Sequence, residues 1–421
     1  MYILEKGQSL DFLKIINKFL MNEQPKLKRY TRYYNGDHDI NRKQYTDSNK
    51  PCNKITTNFC STITNNYLGY LTGKGIGYNI DSPEILDVLK YNDYNEEDKE
   101  LLRQALITGY AAELFWIDDE MNVRFSVMDS RDIIPVYWDT IGRDELAAVI
   151  RFYWLDDSEH YYIEVYEQDY TRTYRADATL KSCYLVDETV NYFNQIPVVI
   201  LDLGSSVFAQ VMGLNDAYNS IVSGEIDDFD TFADAYLVMS GMDNVETEDL
   251  VDMRRNKCIV IPGEGDVSYL TKNINDVQIE NILNNLKKNI FLISNCADFS
   301  DEAFGTASGV AMEFKLLGME NNAGVIEKHM IKALQKRIEL ICDFLSLVNG
   351  EEIWRDVQFT FERNIPVDLA AKYSSLVALR GLVSARTLLS QIDFVKDIDK
   401  ELELVKEEGE NTVYDFTELL G

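Results

Sequence analysis

The run that most invites a chemical reading is Gly69-Tyr-Leu-Thr-Gly73-Lys74, because glycine amides followed by a lysine can cradle a polyphosphate. Its details argue against that use. The spacer is one residue shorter than a phosphate loop requires, Gly75 stands where a magnesium-binding Ser or Thr belongs, and the run ends a helical pattern instead of following a strand. Gly73, Gly75 and Gly77 likewise lack the strand and helix of a dinucleotide site. The histidines His38, His160 and His329 are far apart. Only His38 has acidic neighbours, in Gly36-Asp37-His38-Asp39, and no second His or Cys lies at ligand spacing, so it reads as a structural turn residue. Asp298, Asp301 and Glu302 could ligate a hard cation, but they serve equally as acids at a helix N-terminus, and the EF-hand spacing is absent. Cys52, Cys60, Cys183, Cys258, Cys296 and Cys342 form no CxxC pair and read as reduced thiols. No nucleophile with a base and no carboxylate dyad stands out, so the residues support neither catalysis nor a metal nor a cofactor.

Composition narrows the choice of function further. The 421 residues carry 71 Asp and Glu against 41 Lys and Arg, a formal charge of −30, which excludes a basic clamp that gains affinity by releasing counterions from a duplex. The imbalance is uneven, since residues 1–75 hold 12 basic against 6 acidic side chains. With 46% apolar and 11% aromatic residues the chain can bury sizeable cores, and its length suggests roughly two to four domains. The N-terminus interleaves charges with apolar residues, unlike a signal peptide, and no apolar run approaches the ~18 residues of a membrane span. A soluble product made in a cytoplasm is expected. The small basic clusters Lys26-Leu-Lys28-Arg29 and Arg254-Arg255-Asn-Lys257 read as solvated faces.

The elements that would position any site follow from periodicity. Helical spacing runs through residues 10–20 and 54–71, the latter by Ile55, Phe59, Ile63, Tyr67 and Leu71, and again near 96–109. The period then falls to two in ELFWID, VRFSVMD, AAVIRFYWL, HYYIEVYEQ, YTRTYRA and CYLVDE, which predicts an antiparallel meander ending near Pro197 and Gly204. From about 209 the spacing predicts a helix with Val211, Leu214, Tyr218, Ile221, Val222, Phe229, Phe232 and Ala233 on its apolar stripe. Its other side is acidic, and Glu225 to Asp252 includes ten acids and no base. KCIVI and VSYLT flank a Pro-Gly-Glu-Gly turn, and a second helix starts near Val277. After the small, polar residues 297–309, a helical pattern of about 39 residues runs from Val310 to Val348, with a kink expected at GMENNAG, 318–324. A strand-like VQFTFERNIP and a helical stretch over 367–400 complete the chain.

Several stretches carry a family likeness: Tyr33-Tyr34-Asn-Gly36-Asp-His38-Asp-Ile40, Asn53-Lys54-Ile through Asn58-Phe59 to Gly69-Tyr70-Leu71-Thr-Gly73-Lys74, DFDTFADAYLV at 228–238, DFSDEAFGTASGVAMEFKLL at 298–317, and Lys332 to Ile341. In this order, over the chain up to about residue 350, they resemble the portal proteins of tailed bacteriophages, of the type found in long-tailed phages of Gram-positive hosts. The resemblance implies an α+β, mostly helical portal fold. Residues 1–207 would form the wing, 208–240 the first stem helix, 241–275 the clip, 276–296 the second stem helix and 297–309 the tunnel loop. Residues 310–364 would be a long kinked helix returning to the wing, and 365–421 a helical crown.

The function implied is a non-enzymatic ring of about twelve subunits at the portal vertex of the capsid, through which a motor packages DNA and DNA later leaves. Tunnel-loop residues would be Asp298, Phe299, Ser300, Asp301, Glu302, Phe304, Gly305, Thr306 and Ser308. Lys272, Lys287 and Lys288 would be weak contacts to DNA, and Arg254, Arg255 and Lys257 would dock partners at the clip. The partners implied are double-stranded DNA, the terminase large subunit, a head-completion adaptor, the scaffold and the major capsid protein, with no membrane. An acidic channel wall suits sliding, because it repels the phosphate backbone. The alternatives are another minor capsid or connector protein, or a packaging ATPase or nuclease, for which Gly69–Lys74 is the sole hint.

Overall fold

The computed structural model describes residues 2–44, 51–155, 159–233, 237–240, 266–269, 276–300, 309–345, 353–365, 369–392, 394–395 and 397–406. The chain divides into two compact units, Met1–Arg363 and Asn364–Gly421. The first unit is a mixed α/β structure.

After strand β1 (Tyr2–Leu4), helix α1 (Phe12–Asn22) starts where the Asp11 carboxylate accepts from Lys14 N, and α2 (Gln24–Tyr34) has a proline in its first turn. Helix α3 (Phe59–Thr72) is capped by Asn58, which accepts from Ser61 N. Strand β2 (Ile76–Asn79) precedes α4 (Pro83–Tyr91) and α5 (Tyr94–Thr108). Gly109 ends α5 at φ +95°, and a Cβ there would come within 2.9 Å of the Ser205 backbone. Only glycine permits both that backbone conformation and that approach.

The expected meander forms two sheets instead of one. Strands β3 (Tyr110–Ile117), β4 (Val123–Met128), β5 (Ile133–Trp138), β6 (Leu146–Trp154), β7 (His160–Tyr166), β8 (Tyr170–Asp177), β9 (Cys183–Val190) and β10 (Val198–Asp202) divide between them. A six-stranded sheet has the order β1-β5-β6-β7-β8-β9, with β1 parallel to β5, and a three-stranded sheet has the order β10-β3-β4. Between them Ala112, Leu114, Ile133, Val149, Tyr166, Ile196 and Val198 bury a shared core. Pro135 in β5 is tolerated because its nitrogen faces the β1 side, where pairing begins only at Val136.

Beyond the sheets, helix α6 (Met212–Ala233) stops short of the expected 240. Residues Leu237–Ser240 form β11, antiparallel to β12 (Asp266–Tyr269). The run LVMS is β-prone, and that preference wins over the helical pattern preceding it. The KCIVI strand of the expected hairpin lies outside the described residues. Helix α7 (Asp276–Ile293) follows, and then α8 (Gly309–Leu345). Strand β13 (Gln358–Phe361) pairs with β2.

Helix α8 runs without interruption through 318–324, as one helix of 37 residues, about 55 Å along its axis. Side chains in that turn have partners elsewhere in the fold: Asn322 Nδ2 donates to the Tyr67 hydroxyl at 2.9 Å, and Glu320 is held by Tyr70 and Arg363. These contacts replace the local side-chain bonding through which asparagine usually competes with helix. The α8 stripe is as expected, with Ile326, Met330, Leu334, Ile338 and Ile341 buried against α3, α4 and β10.

In the second unit, helix Leu369–Ala378 and helix Ala385–Leu389, capped by Ser384, are described, and helix also runs over 398–406.

Candidate functional site: the helices α6, α7 and α8

The most buried side of α6 is polar, contrary to the apolar stripe expected. Asn215, Asn219 and Ser223 are fully buried and Asp227 nearly so, whereas Phe229 is 71% exposed. The four polar residues recur every fourth position, and each receives a backbone N–H from segment 53–59, which leads into α3. Phe59 N donates to Asn215 Oδ1 (3.2 Å), Thr57 N to Asn219 Oδ1 (2.8 Å), Ile55 N to Ser223 Oγ (2.9 Å) and Asn53 N to Asp227 Oδ1 (2.6 Å). Four helical residues rise about 6 Å and two extended residues about 6.6 Å, so a four-residue stripe on a helix can match alternate amides of an extended chain. Asn215 Nδ2 returns a bond to the Thr57 carbonyl (2.7 Å), and Lys43 pairs with Asp227 (3.0 Å). Part of the helix's acidity therefore holds a strap in place and does not face outward.

His38 sits at the centre of this arrangement, fully buried. Its Nε2 faces the Tyr33 carbonyl (3.1 Å) and Asn58 Oδ1 (3.3 Å), Asn219 Nδ2 faces its Nδ1 (3.2 Å), and its ring lies 4.5 Å from that of Tyr33. Tyr33 donates its hydroxyl to the Asp216 carboxylate on α6 (2.9 Å), and burial pushes that hydroxyl's pKa up.

Helix α7 is only partly covered. Ile290 and Phe291 are buried, but Val277 (67%) and Leu292 (68%) are exposed, and Ile282 and Ile293 are also open. On α8, Phe314 (73%), Leu317 and Val325 are bare as well. Lys287 does not extend freely: its Nζ pairs with Asp298 Oδ2 (2.9 Å) and donates to Ser300 Oγ (2.7 Å). Asp298 Oδ1 also accepts from Ser300 N and Oγ. Burial opposes the Asp298 charge, but the bonds from Ser300 and Lys287 outweigh it and hold the carboxyl below its usual range. Lys288 is exposed, with no partner among the described residues. The structure therefore brings Lys287, Asp298 and Ser300 together, with Phe299 exposed between them. Asp301, Glu302, Phe304, Gly305, Thr306, Ser308, Lys272, Arg254, Arg255 and Lys257 lie outside the described residues.

Helix α8 is tied down by two arginines. Arg337 is wholly buried, with Nε 2.9 Å and Nη2 2.7 Å from the two oxygens of Glu113 on β3. Its Nη1 reaches Asp98 on α5 and the Tyr78 hydroxyl on β2 (2.9 Å), and its guanidinium lies over the Phe125 ring at 4.9 Å. Desolvation opposes the charge on Arg337, but Glu113, Tyr78 and Asp98 together keep its pKa well above normal. Burial raises the pKa of both Asp98 and Glu113, and attraction to Arg337 offsets only part of it. Farther up the helix, Arg363 clasps Glu320 (2.7 Å) and Glu327 (2.6 Å), and the bond from Arg363 leads in depressing the pKa of Glu320. Tyr67 on α3 links the turn that ends α7 to α8, its hydroxyl lying 3.0 and 2.9 Å from the Ser294 and Asn295 carbonyls and accepting from Asn322.

The Gly69–Lys74 run closes α3, with Gly73 as its C-cap. A helix C-terminus carries the negative end of the macrodipole, and Lys74 faces Glu362 at 3.4 Å, neither of which favours a phosphate. Among the described residues no group of three His, Cys, Asp or Glu could hold a metal, and no helix is long and apolar enough to cross a membrane. The described cysteines are unpaired.

Sequence reasoning missed the buried polar series of α6 and the Arg337 cluster. The first had a signal, the four-residue repeat Asn-Asn-Ser-Asp, while the second joins residues more than two hundred positions apart.

Comparison with known proteins points one way. Residues 13–414 match the family model described as phage portal protein, SPP1 Gp6-like. The chain is 25% identical to a protein of Clostridium phage phiCD119 named portal protein, over 89% of this chain and 91% of that one. Its fold is similar, with a TM-score of 0.50 and 11% identity, to a chain in the neck of a native GTA particle computed with C12 symmetry, covering 89% of this chain and 94% of that one.

Proposed function

The chain belongs to the SPP1 Gp6-like phage portal proteins, a structural component of the virion capsid, and from that premise we propose that about twelve copies close a ring through which DNA is packaged and later leaves. The observation that carries the ring is the bare apolar side of the three helices: Phe229 on α6, Val277 and Leu292 on α7, and Phe314, Leu317 and Val325 on α8 are exposed in the single subunit. In a ring these side chains would be covered by the neighbouring copy. A head-to-tail contact between α6, α7 and α8 of neighbouring copies is heterologous and can close as a ring. The C12 symmetry of the GTA neck supports the same reading.

In this reading α6 and α7 are the stem, β11 and β12 belong to the clip, residues 297–309 form the tunnel loop, α8 lines the passage and 365–421 form the crown. A net charge of −30 lets DNA slide, because a wall of like charge gives the phosphates no deep minimum. The terminase large subunit and the head-completion adaptor dock at the clip, where Arg254, Arg255 and Lys257 provide the positive charge, and the scaffold and major capsid protein surround the wing. The subunit is made in the host cytoplasm, takes no cofactor and performs no catalysis. Lys288 remains a candidate contact to DNA. Lys287 can act in that role only by giving up Asp298 and Ser300.

Deleting residues 303–306 tests the loop. Rings should still assemble while DNA packaging in a reconstituted reaction falls by about tenfold or more. Normal packaging by intact mutant rings would remove the loop from the mechanism.

A further inference from the structure

We propose that His38 is a proton-sensitive latch: the neutral ring lets segment 53–59 zip onto α6, and protonation unzips it. Thr57 N–H must donate, so the oxygen of Asn219 faces it at 2.8 Å and the amide orientation is fixed. Asn219 Nδ2–H₂ is then the group facing His38 Nδ1 at 3.2 Å, which requires Nδ1 to be an acceptor. The other ring nitrogen faces two oxygens, the Tyr33 carbonyl and Asn58 Oδ1, and must donate. Only the neutral Nε2–H form satisfies all four contacts.

A proton added at Nδ1 sets N–H against N–H in a site with no access to water, since His38 and Asn219 are both fully buried. Turning the Asn219 amide relieves that clash but places its NH₂ against Thr57 N–H. Either way a ladder bond is lost, and with it the alignment of Asn215, Ser223 and Asp227 with their amides. The ionisable groups facing this site are Tyr33 from α2, Cys60 from α3 and Asp216 from α6; Arg42 donates to the His38 carbonyl, and Asp37 and Asp39 flank it in sequence. Asp216, which favours a positive ring, is occupied by the Tyr33 hydroxyl, and Arg29 stands 3.6 Å away. The other histidines, His160 and His329, lie on β7 and α8.

Hydrogen–deuterium exchange of the full-length protein tests this, with the amides of 53–59 followed at about pH 7.5 and about pH 5.5 and each rate divided by its intrinsic chemical rate. Protection of that segment should fall about tenfold at the lower pH while α5 keeps its protection. Asn219→Asp should invert the dependence, because a carboxylate accepts from both Thr57 N–H and a protonated His38. His38→Gln carries no titrating ring and should give equal protection at both values. Unchanged protection in the wild type, or a persisting acid loss in His38→Gln, would overturn the proposal.

Discussion

Replacing Arg337 by leucine should cost about 3–5 kcal/mol of stability, the largest loss expected from any single change in this chain. The guanidinium is wholly enclosed and bidentate to Glu113, so its removal strands two carboxyl groups, Glu113 and Asp98, away from water. Leucine fills some of the volume and none of the charge. Arg337→Lys should rescue only part, because one ammonium cannot reproduce the planar fork that meets Glu113 while also reaching Asp98 and Tyr78. Chemical denaturation of the variants checks the order. An Arg337→Leu protein of unchanged stability would show that the cluster contributes no net stability to the fold.

The cluster also has a pH signature. Asp98 and Glu113 have folded-state pKa values raised chiefly by burial, so the folded chain holds protons that the unfolded chain releases. Their contribution to stability is therefore full at pH values below the unfolded carboxyl range, near 4, and declines as pH rises through the raised folded values. This is the reverse of the usual paired carboxylate, and it follows from burial outweighing the attraction of Arg337 at both acids. Asp98→Asn leaves one acid per arginine and should flatten this dependence at a smaller cost than Arg337→Leu.

The second large effect is expected at Asn219. Changing it to leucine leaves the Thr57 N–H and His38 Nδ1 buried without partners, each costing about 1–3 kcal/mol, so a loss of at least about 2 kcal/mol is expected. Ser220, one position away and exposed, should tolerate alanine within about 0.5 kcal/mol. Equal losses at 219 and 220 in a denaturation series would contradict the ladder.

Much of the helical framework was legible because it obeys simple periodicity. Ile326 to Ile341 on α8 are buried as their spacing requires, and the alternating strands were recognisable from β3 through β9, except β5, which Pro135 disguised. The division into two sheets was not legible, since it depends on β10 returning to pair with β3 across more than eighty residues. The apolar stripe expected for α6 is buried at Val211 and half-buried at Leu214, Tyr218, Ile221 and Val222, but the deepest positions are the polar series beside it. The strap's amides needed acceptors more than the core needed another hydrocarbon face, and a four-residue polar repeat opposite alternate residues of Asn53–Phe59 was the available sign. Lys287 read as a phosphate contact because sequence shows a cation and not the carboxylate that reaches it, which lies eleven residues later. The continuity of α8 through Gly318 and Gly324 likewise depends on Tyr67, Tyr70 and Arg363, which local sequence does not display.

If neighbouring copies cover the exposed apolar side chains of α6, α7 and α8 in a closed ring, the purified protein is annular. Negative-stain electron microscopy of the purified protein tests it most directly. Annular particles with a central hole and a uniform subunit number of about twelve are expected. Compact monomers or open filaments without a hole, at concentrations where the protein is soluble and folded, would contradict it.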